Sequence, residues 1–173
     1  MDDAGTIVAE TARLRLRQLR PGDLDTVAAM VADPEQMRYF PRPKTRDEVR
    51  AWLDRNLGLY ADHGYGTWYL EAKEDGGFAG YCGIRPLELE GRAESELAWQ
   101  VPRAQWNRGL ATEAASAAVD LGFTRLGLER LVAIIHPDNA ASRAVARKIG
   151  MREERSLLLE GEPIVLYGVT LSL

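Results

Sequence analysis

The chain has 173 residues, 46% of them hydrophobic and 28% charged, a profile that fits one globular domain with a sizeable core and leaves little room for two. Its 22 basic and 26 acidic residues give a net charge of −4, which argues against broad nucleic-acid binding without excluding a local basic patch. No run approaches the roughly 20 apolar residues of a membrane span; Cys82 is the only cysteine and His63 and His136 lie far apart, so no disulfide framework or Cys/His metal site is expected, and a reducing, cytoplasmic setting fits.

Residues 13–19 alternate charge with Leu14 and Leu16, which predicts a half-buried strand ending at Pro21-Gly22. Asp23 can cap a helix whose Leu24, Val27, Ala28 and Val31 recur on one face and which stops by Asp33-Pro34. Residues 37–44, with Tyr39, Phe40, Pro41 and Pro43, read as an irregular loop of the kind that lines pockets. Thr45-Arg46-Asp47-Glu48 has the form of a capping box, opening a second helix with Val49, Trp52, Leu53, Leu57 and Tyr60 on one face and an end near His63-Gly64. Residues 68–73, 78–84 and 95–101 then predict an antiparallel meander, with turns at Asp75-Gly76-Gly77 and near Glu90-Gly91. In its third strand Leu97, Trp99 and Val101 share one face, and Glu96, Ala98 and Gln100 the other.

From Leu110 the period changes: Leu110, Ala114, Ala117, Ala118 and Leu121 form a helical stripe of small residues that can lie close against a sheet. Residues 131–135 are continuously apolar, as in a strand covered on both faces, and the helix before them implies a right-handed parallel crossover. Pro137-Asp138-Asn139 starts a last helix, with Ala141, Val145 and Ile149 inward, Arg143 and Arg147 outward, and Gly150 as its stop. The tail reads as a hairpin of residues 152–159 and 164–171 around Glu160-Gly161-Glu162-Pro163. The whole chain is therefore expected to be one α/β unit, its core starting near residue 11.

Two segments have chemical potential. In QWNRGLATEA, residues 105–114, Gly109 and Ala111 lack bulk where the free amides and positive dipole of a helix start could receive an anion, with Arg108 adding charge. A glycine in a tight turn before an alanine-rich helix explains the same letters, and neither a P-loop nor GxGxxG is present. In HPDNAASRAVARKIGM, residues 136–151, Asn139 and Ser142 sit at a helix start beside the end of a central strand, where they can reach a ligand or simply cap the helix.

Together with TARLRLRQLRPGDLD and SELAWQV, these motifs cover nearly the whole chain, and the sequence resembles the GNAT superfamily of acyl-CoA-dependent N-acyltransferases, in particular its RimJ/RimL branch. The resemblance implies a single-domain α/β GNAT fold, a mixed twisted sheet with helices on both faces, and an acetyl-CoA-dependent N-acetyltransferase without a metal. The family pattern [QR]xxGx[GA] is met by Trp106, Gly109 and Ala111, with Trp in place of Gln or Arg. The implied cofactor contacts are Gln100, Val101, Trp106, Asn107, Arg108, Gly109, Leu110, Ala111, Thr112, Asn139 and Ser142, the pyrophosphate lying on the amides around residues 108–111. The pantetheine arm would lie along the strand of residues 96–101 where it splays from residues 131–135.

By the same resemblance Ser142 is the candidate acid for the leaving thiolate, because the tyrosine that many family members carry seven residues after the Asn is Ala146 here. Glu96 is the candidate base, with Glu94 and water as competitors and a plain solvent-facing role as the alternative for both carboxylates. The implied acceptor is a primary amine, first the N-terminal α-amine of a protein or peptide, next a small-molecule amine; a catalytically silent acyl-CoA-binding module is the third reading. Neither nucleic acid nor membrane is an expected partner, and a homodimer is one candidate assembly. Tyr39, Phe40 and Trp68 are candidate walls of the acceptor pocket, the acidic turn at residues 160–162 a candidate receiver of a cation, His136 either a cofactor-facing residue or an exposed strand end, and Cys82 an inert buried thiol.

Overall fold

Alternation at Leu14 and Leu16 does what it predicts in the computed structural model, which describes residues 5–172: both side chains are fully buried in a strand. That strand, β2 (Leu14–Gln18), pairs with β1 (Ile7–Glu10), which lies ahead of the expected core and has no sequence signal beyond four residues. Next come α1 (Leu24–Val31) and α2 (Arg46–His63), then β3 (Thr67–Ala72), β4 (Phe78–Leu89) and β5 (Arg92–Gln100). The remaining elements are α3 (Leu110–Thr124), β6 (Arg130–Ile135), α4 (Ala140–Lys148), β7 (Arg152–Leu159) and β8 (Glu162–Thr170). The sheet order is β1-β2-β3-β4-β5-β6-β8-β7, antiparallel throughout except for the parallel β5/β6 pair that α3 connects.

The capping box at the start of α2 is complete: the Glu48 N–H donates to Thr45 Oγ1 (3.3 Å) and the Thr45 N–H to Glu48 Oε2 (2.8 Å). Hydrogen bonds from Arg42 and Thr45 hold the Glu48 carboxyl down at about 2. A carboxyl lower in the folded state than its ordinary 4.5 contributes stability above that ordinary value and loses it as pH falls through the folded one. The Thr45 amide resonance follows the folded-state carboxyl and is therefore expected to titrate around pH 2, with little change above about pH 4; a shift centred near pH 6 would detach the cap from Glu48. Asp23, by contrast, precedes α1 without capping it, because its carboxylate is taken by the Arg17 guanidinium and the Arg20 N–H.

Helices cover both faces. Ala114, Ala115 and Ala118 of α3 are fully buried, so that helix lies close over Ile84, Leu97 and Leu131. On the opposite face α1 and α2 bury Val27, Val31, Val49 and Leu53 against Tyr69, with the Trp52 ring tilted against Tyr81, centroids 5.1 Å apart. Two details of α4 differ from the helical-wheel expectation. Ala141 is exposed and Ala146 is the fully buried position, while Arg143 turns in to Tyr167 Oη (3.0 Å) and Glu153 (2.9 Å). Burial pushes the Cys82 thiol well above its ordinary value, as the inert reading requires. Among the described residues no helix is long and apolar enough to cross a membrane.

Candidate active site

β5 and β6 are in register only at Glu96 opposite Val132. Beyond that pair their C-terminal halves do not bond to each other, although each is held on its outer side, β5 by β4 as far as Tyr81 opposite Gln100 and β6 by β8 as far as Ile135 opposite Val165. The two strands therefore form the arms of a V whose inner edges present unpaired peptide groups. Register also assigns the faces. Leu97 and Trp99 lie on the α3 side, and Glu96, Ala98 and Gln100 lie with Tyr81, Gly83 and Arg85 on the α1/α2 side.

The loop after β5 is shaped by its own side chains. Trp106 Nε1 donates back to the Val101 carbonyl (2.8 Å), and Asn107 and Gly109 take positive φ of 62° and 76°. Gly109 is the residue just before α3, so glycine is required there by conformation, whereas Asn107 belongs to the few types that tolerate it. From Asn107 to Thr112 no amide donates to an acceptor among the described residues, and the first helical bond runs from the Glu113 N–H to the Gly109 carbonyl (3.0 Å). Glu113 accepts from Thr11 Oγ1 (2.5 Å), the Arg13 N–H (2.8 Å) and Arg13 Nε (2.7 Å), while Arg13 also donates to the Arg108 carbonyl (2.9 Å). Burial raises the Glu113 carboxyl, and these donors outweigh it and bring it below its ordinary value. The free amides are thus held by the β1–β2 turn. Beside the loop, Arg13, Lys73 and Arg108 edge an open cavity of about 380 Å³.

The cofactor positions expected from sequence sort by what their side chains already do. Leu110 is buried, so only its amide is available; Ala111 and Thr112 are half-buried in the first turn; Arg108 is exposed. Gln100 and Val101 are engaged at their polar atoms, Gln100 Oε1 and the Val101 carbonyl both accepting from Gln36 Nε2 (3.2 and 3.1 Å). Asn139 realises the capping alternative, its Oδ1 accepting from the Ser142 N–H (3.1 Å), which leaves the Asn139 amide nitrogen and the Ser142 hydroxyl without partners among the described residues.

Both carboxylates are strand residues, and neither faces open solvent. Glu96 is 5% exposed, and its Oε2 accepts from Arg85 Nε (2.6 Å) directly across the β4/β5 ladder. Among the described residues no donor reaches its other oxygen. Glu94 lies within β5, not in the turn, and is bound by Arg130 Nε (3.1 Å), whose other two nitrogens take Glu154 (2.7 and 2.8 Å). That Glu94–Arg130–Glu154 chain ties β5 to β6 and β7 and leaves Glu94 little freedom to move a proton. Trp68 is 1% exposed and belongs to the core, not to a pocket wall. The residues that sequence reading missed are Arg85, Gln36 and Arg38; their roles depend on contacts across the sheet and have no local signature.

The sequence profile of the Acetyltransferase (GNAT) domain matches residues 13–152. The chain belongs to the GNAT acetyltransferase family. It is 34% identical over 158 residues to the uncharacterized protein YkkB of Bacillus subtilis (strain 168), covering 91% of this chain and 92% of that one. It is 30% identical over 150 residues to the spermidine N(1)-acetyltransferase of Escherichia coli (strain K12), covering 85% and 77%. Among solved structures it resembles the acetyltransferase from Agrobacterium tumefaciens str. C58 at a TM-score of 0.82 and 27% identity, with 94% of each chain covered. The GNAT fold expected from sequence is present, and the protein is an acyltransferase of a family that uses acetyl-CoA.

Proposed function

We propose that this GNAT enzyme acetylates a primary amine, in the first place the N-terminal α-amine of a protein or peptide, as in the RimJ/RimL branch that its motifs resemble. What supports this reading is a succession along the chain: Glu96 stands at the one β5/β6 pair, the unpaired inner edge of β5 follows it, and the free amides of residues 107–112 come directly after that strand. The fit to acetyl-CoA is chemical. A pyrophosphate suits six free N–H groups at a positive helix end, and the amides of a pantetheine arm suit unpaired strand edges.

In this assignment the amides of residues 107–112 bind the pyrophosphate with Arg108, the arms of β5 and β6 orient the thioester, and Asn139 holds the pantetheine through its free nitrogen. Glu96 takes the amine proton through its uncommitted oxygen. Ser142 is the candidate donor to the departing thiolate, since Ala146 is fully buried and supplies nothing to the cleft. When bound, acetyl-CoA supplies the activated acyl group. A reducing, cytoplasmic location belongs to the same reading and is supported by the buried free Cys82.

The competing acceptor is a small-molecule amine, favoured by the likeness to an enzyme named for spermidine. Thiol release from acetyl-CoA against N-terminal peptides and small amines decides between the two. The expected result is higher kcat/KM for peptides; faster turnover of polyamines would reverse the order, and no release with any amine would leave an acyl-CoA-binding module. Acetyl-CoA at about 100 times its Kd is expected to stabilise the fold by roughly 2.7 kcal/mol. For a chain of this length that raises Tm by about 5 to 11 °C; an equal shift with ATP would count against a dedicated CoA site.

A further inference from the structure

Asn139 and Ser142 sit at the start of a helix that buries little. Among the nine residues of α4 only Ala146 is fully buried; Val145 and the following Ile149 are half-buried, while Ala141, Arg147 and Lys148 are exposed. A helix of roughly two and a half turns with so narrow an apolar contact depends on its polar attachments for its place. The turn that leads into it, residues 136–139, is fastened mostly to itself. The Asn139 N–H donates to the His136 carbonyl (3.0 Å) and the Asp138 N–H to His136 Nδ1 (3.1 Å), and the Asp138 and Asn139 carbonyls accept from the Ala140 (2.9 Å) and Arg143 (3.0 Å) amides. None of these bonds reaches the sheet.

The Arg143 side chain does reach it. Its guanidinium donates through all three nitrogens: Nη1 to the Pro137 carbonyl in the turn (2.9 Å), Nε to Tyr167 Oη (3.0 Å) and Nη2 to Glu153 Oε2 (2.9 Å). Tyr167 and Glu153 stand opposite each other on β8 and β7. The Tyr167 hydroxyl accepts from Arg143 and passes its own hydrogen to Glu153 Oε2 (3.2 Å), and its ring is fully buried, so it is a fixed point of the sheet. Among the described residues this is the one hydrogen-bonded link between the turn and the sheet besides the chain itself. A guanidinium is a rigid planar fork, so three bonds to it fix the Pro137 carbonyl relative to β7 and β8 in a way that a flexible ammonium would not.

We propose that Arg143 is a positioning residue for the cofactor: seated on Tyr167 and Glu153, it holds the Pro137 carbonyl and thereby sets where the free amide nitrogen of Asn139, two residues on, meets the pantetheine arm. Arg143 itself touches neither cofactor nor acceptor. The inference rests on the acetyl-CoA reading above, in which Asn139 holds that arm, and goes beyond it by naming the residue that places Asn139.

The test measures Kd by calorimetry on the full chain, held below its Tm, for acetyl-CoA and for ADP, which keeps a pyrophosphate and lacks the pantetheine arm. Arg143→Met keeps an unbranched side chain and removes all three donors. Residues in one hydrogen-bond network commonly share roughly 2- to 150-fold of an effect, so this variant is expected to weaken acetyl-CoA about tenfold. ADP should bind as it does to the wild type, because the amides of residues 107–112 are anchored separately through Arg13 and Glu113. In an Asn139→Ala background the same change should weaken acetyl-CoA by less than about threefold, since the group it places is already gone. Tyr167→Phe removes one seat, leaves the buried ring, and should act in the same direction by a smaller factor; it covers the case in which Arg143→Met does not fold. An unchanged acetyl-CoA Kd in the folded variants, an equal loss for ADP, or the full loss repeated beside Asn139→Ala overturns the positioning role. Asn139→Ala binding acetyl-CoA as the wild type does would overturn instead the assignment of Asn139 to the pantetheine, and no binding of acetyl-CoA by the wild type the cofactor reading itself.

Discussion

Glu96→Gln is expected to lower kcat/KM near neutral pH by about 10²- to 10⁴-fold, the usual loss when a positioned general base is removed, while acetyl-CoA binds within about twofold of its original Kd. The amide keeps the shape of the side chain and can still accept from Arg85 across the ladder, so the β4/β5 pairing survives and the readout isolates proton transfer. The residual activity should climb with pH, because an acceptor that arrives deprotonated needs no base. The slope also reports on the acceptor. An α-amine of pKa about 8 costs roughly 1 kcal/mol to deprotonate at pH 7.4, a lysine of pKa about 10.4 about 4. For a peptide N-terminus the variant should thus recover most of its rate by about pH 9, whereas for a lysine-like amine it should still be climbing there. A pH-rate profile identical to the wild type would pass the proton to water, since Glu94 is held by Arg130.

Those carboxylates show where sequence reading reaches and where it stops. Alternation places Glu96 and Glu94 on the same face of β5, and that is correct, yet their separate fates depend on which residues stand across the sheet: Arg85 on β4 for one, Arg130 on β6 for the other. Local chemistry was legible wherever it is decided locally. The Thr45/Glu48 capping box, the Gly64 stop at φ 76° and the Asn139 cap all follow from neighbours within four residues. Strand ends were less so. β4 runs on to Leu89 through Pro86, which stands opposite Ser95 at the outer end of the hairpin, and the tail turn shrinks to Glu160-Gly161, both at positive φ (49° and 84°), with Pro163 inside β8. A proline reads as punctuation in sequence, but a ladder position that needs no N–H accepts it. Residues 37–44 were legible only as a loop with aromatic residues, because the contacts of Gln36 and Tyr39 are with Val101 and His136, some 65 and 97 residues away.

Asp23→Asn should cost more stability than any surface change in this protein. Arg17 is 3% exposed and Asp23 5%, and the guanidinium grips the carboxylate at both oxygens (2.8 Å each) while lying 3.7 Å from the centre of the Tyr69 ring. Burial acts to lower the Arg17 pKa, yet the hydrogen bonds and charge of Asp23 outweigh it and raise it; without Asp23 the guanidinium still keeps its proton, because arginine does not deprotonate in proteins. Removing one charge of a buried pair costs about 3–5 kcal/mol, and the only other carboxylate at the Arg17 guanidinium among the described residues is Glu71, at 3.7 Å from Nε and more exposed, which offsets only part of it. At 2–4 °C per kcal/mol for this chain length, Tm should fall by about 6 to 20 °C. Replacing both partners, as in Arg17→Met with Asp23→Leu, should restore much of the loss, because no charge then remains buried. The pair sits where β2 turns into α1, so it fixes the helix from which residues 33–39 depart toward the V. In Asp23→Asn, assayed below its lowered Tm, the KM for the amine should therefore rise while the Kd for acetyl-CoA holds, since the cofactor loop is anchored separately through Arg13 and Glu113. A fall in Tm of less than about 2 °C would mean that water reaches the guanidinium, and the junction would then be held by the apolar contacts of Leu24 and Val27 alone.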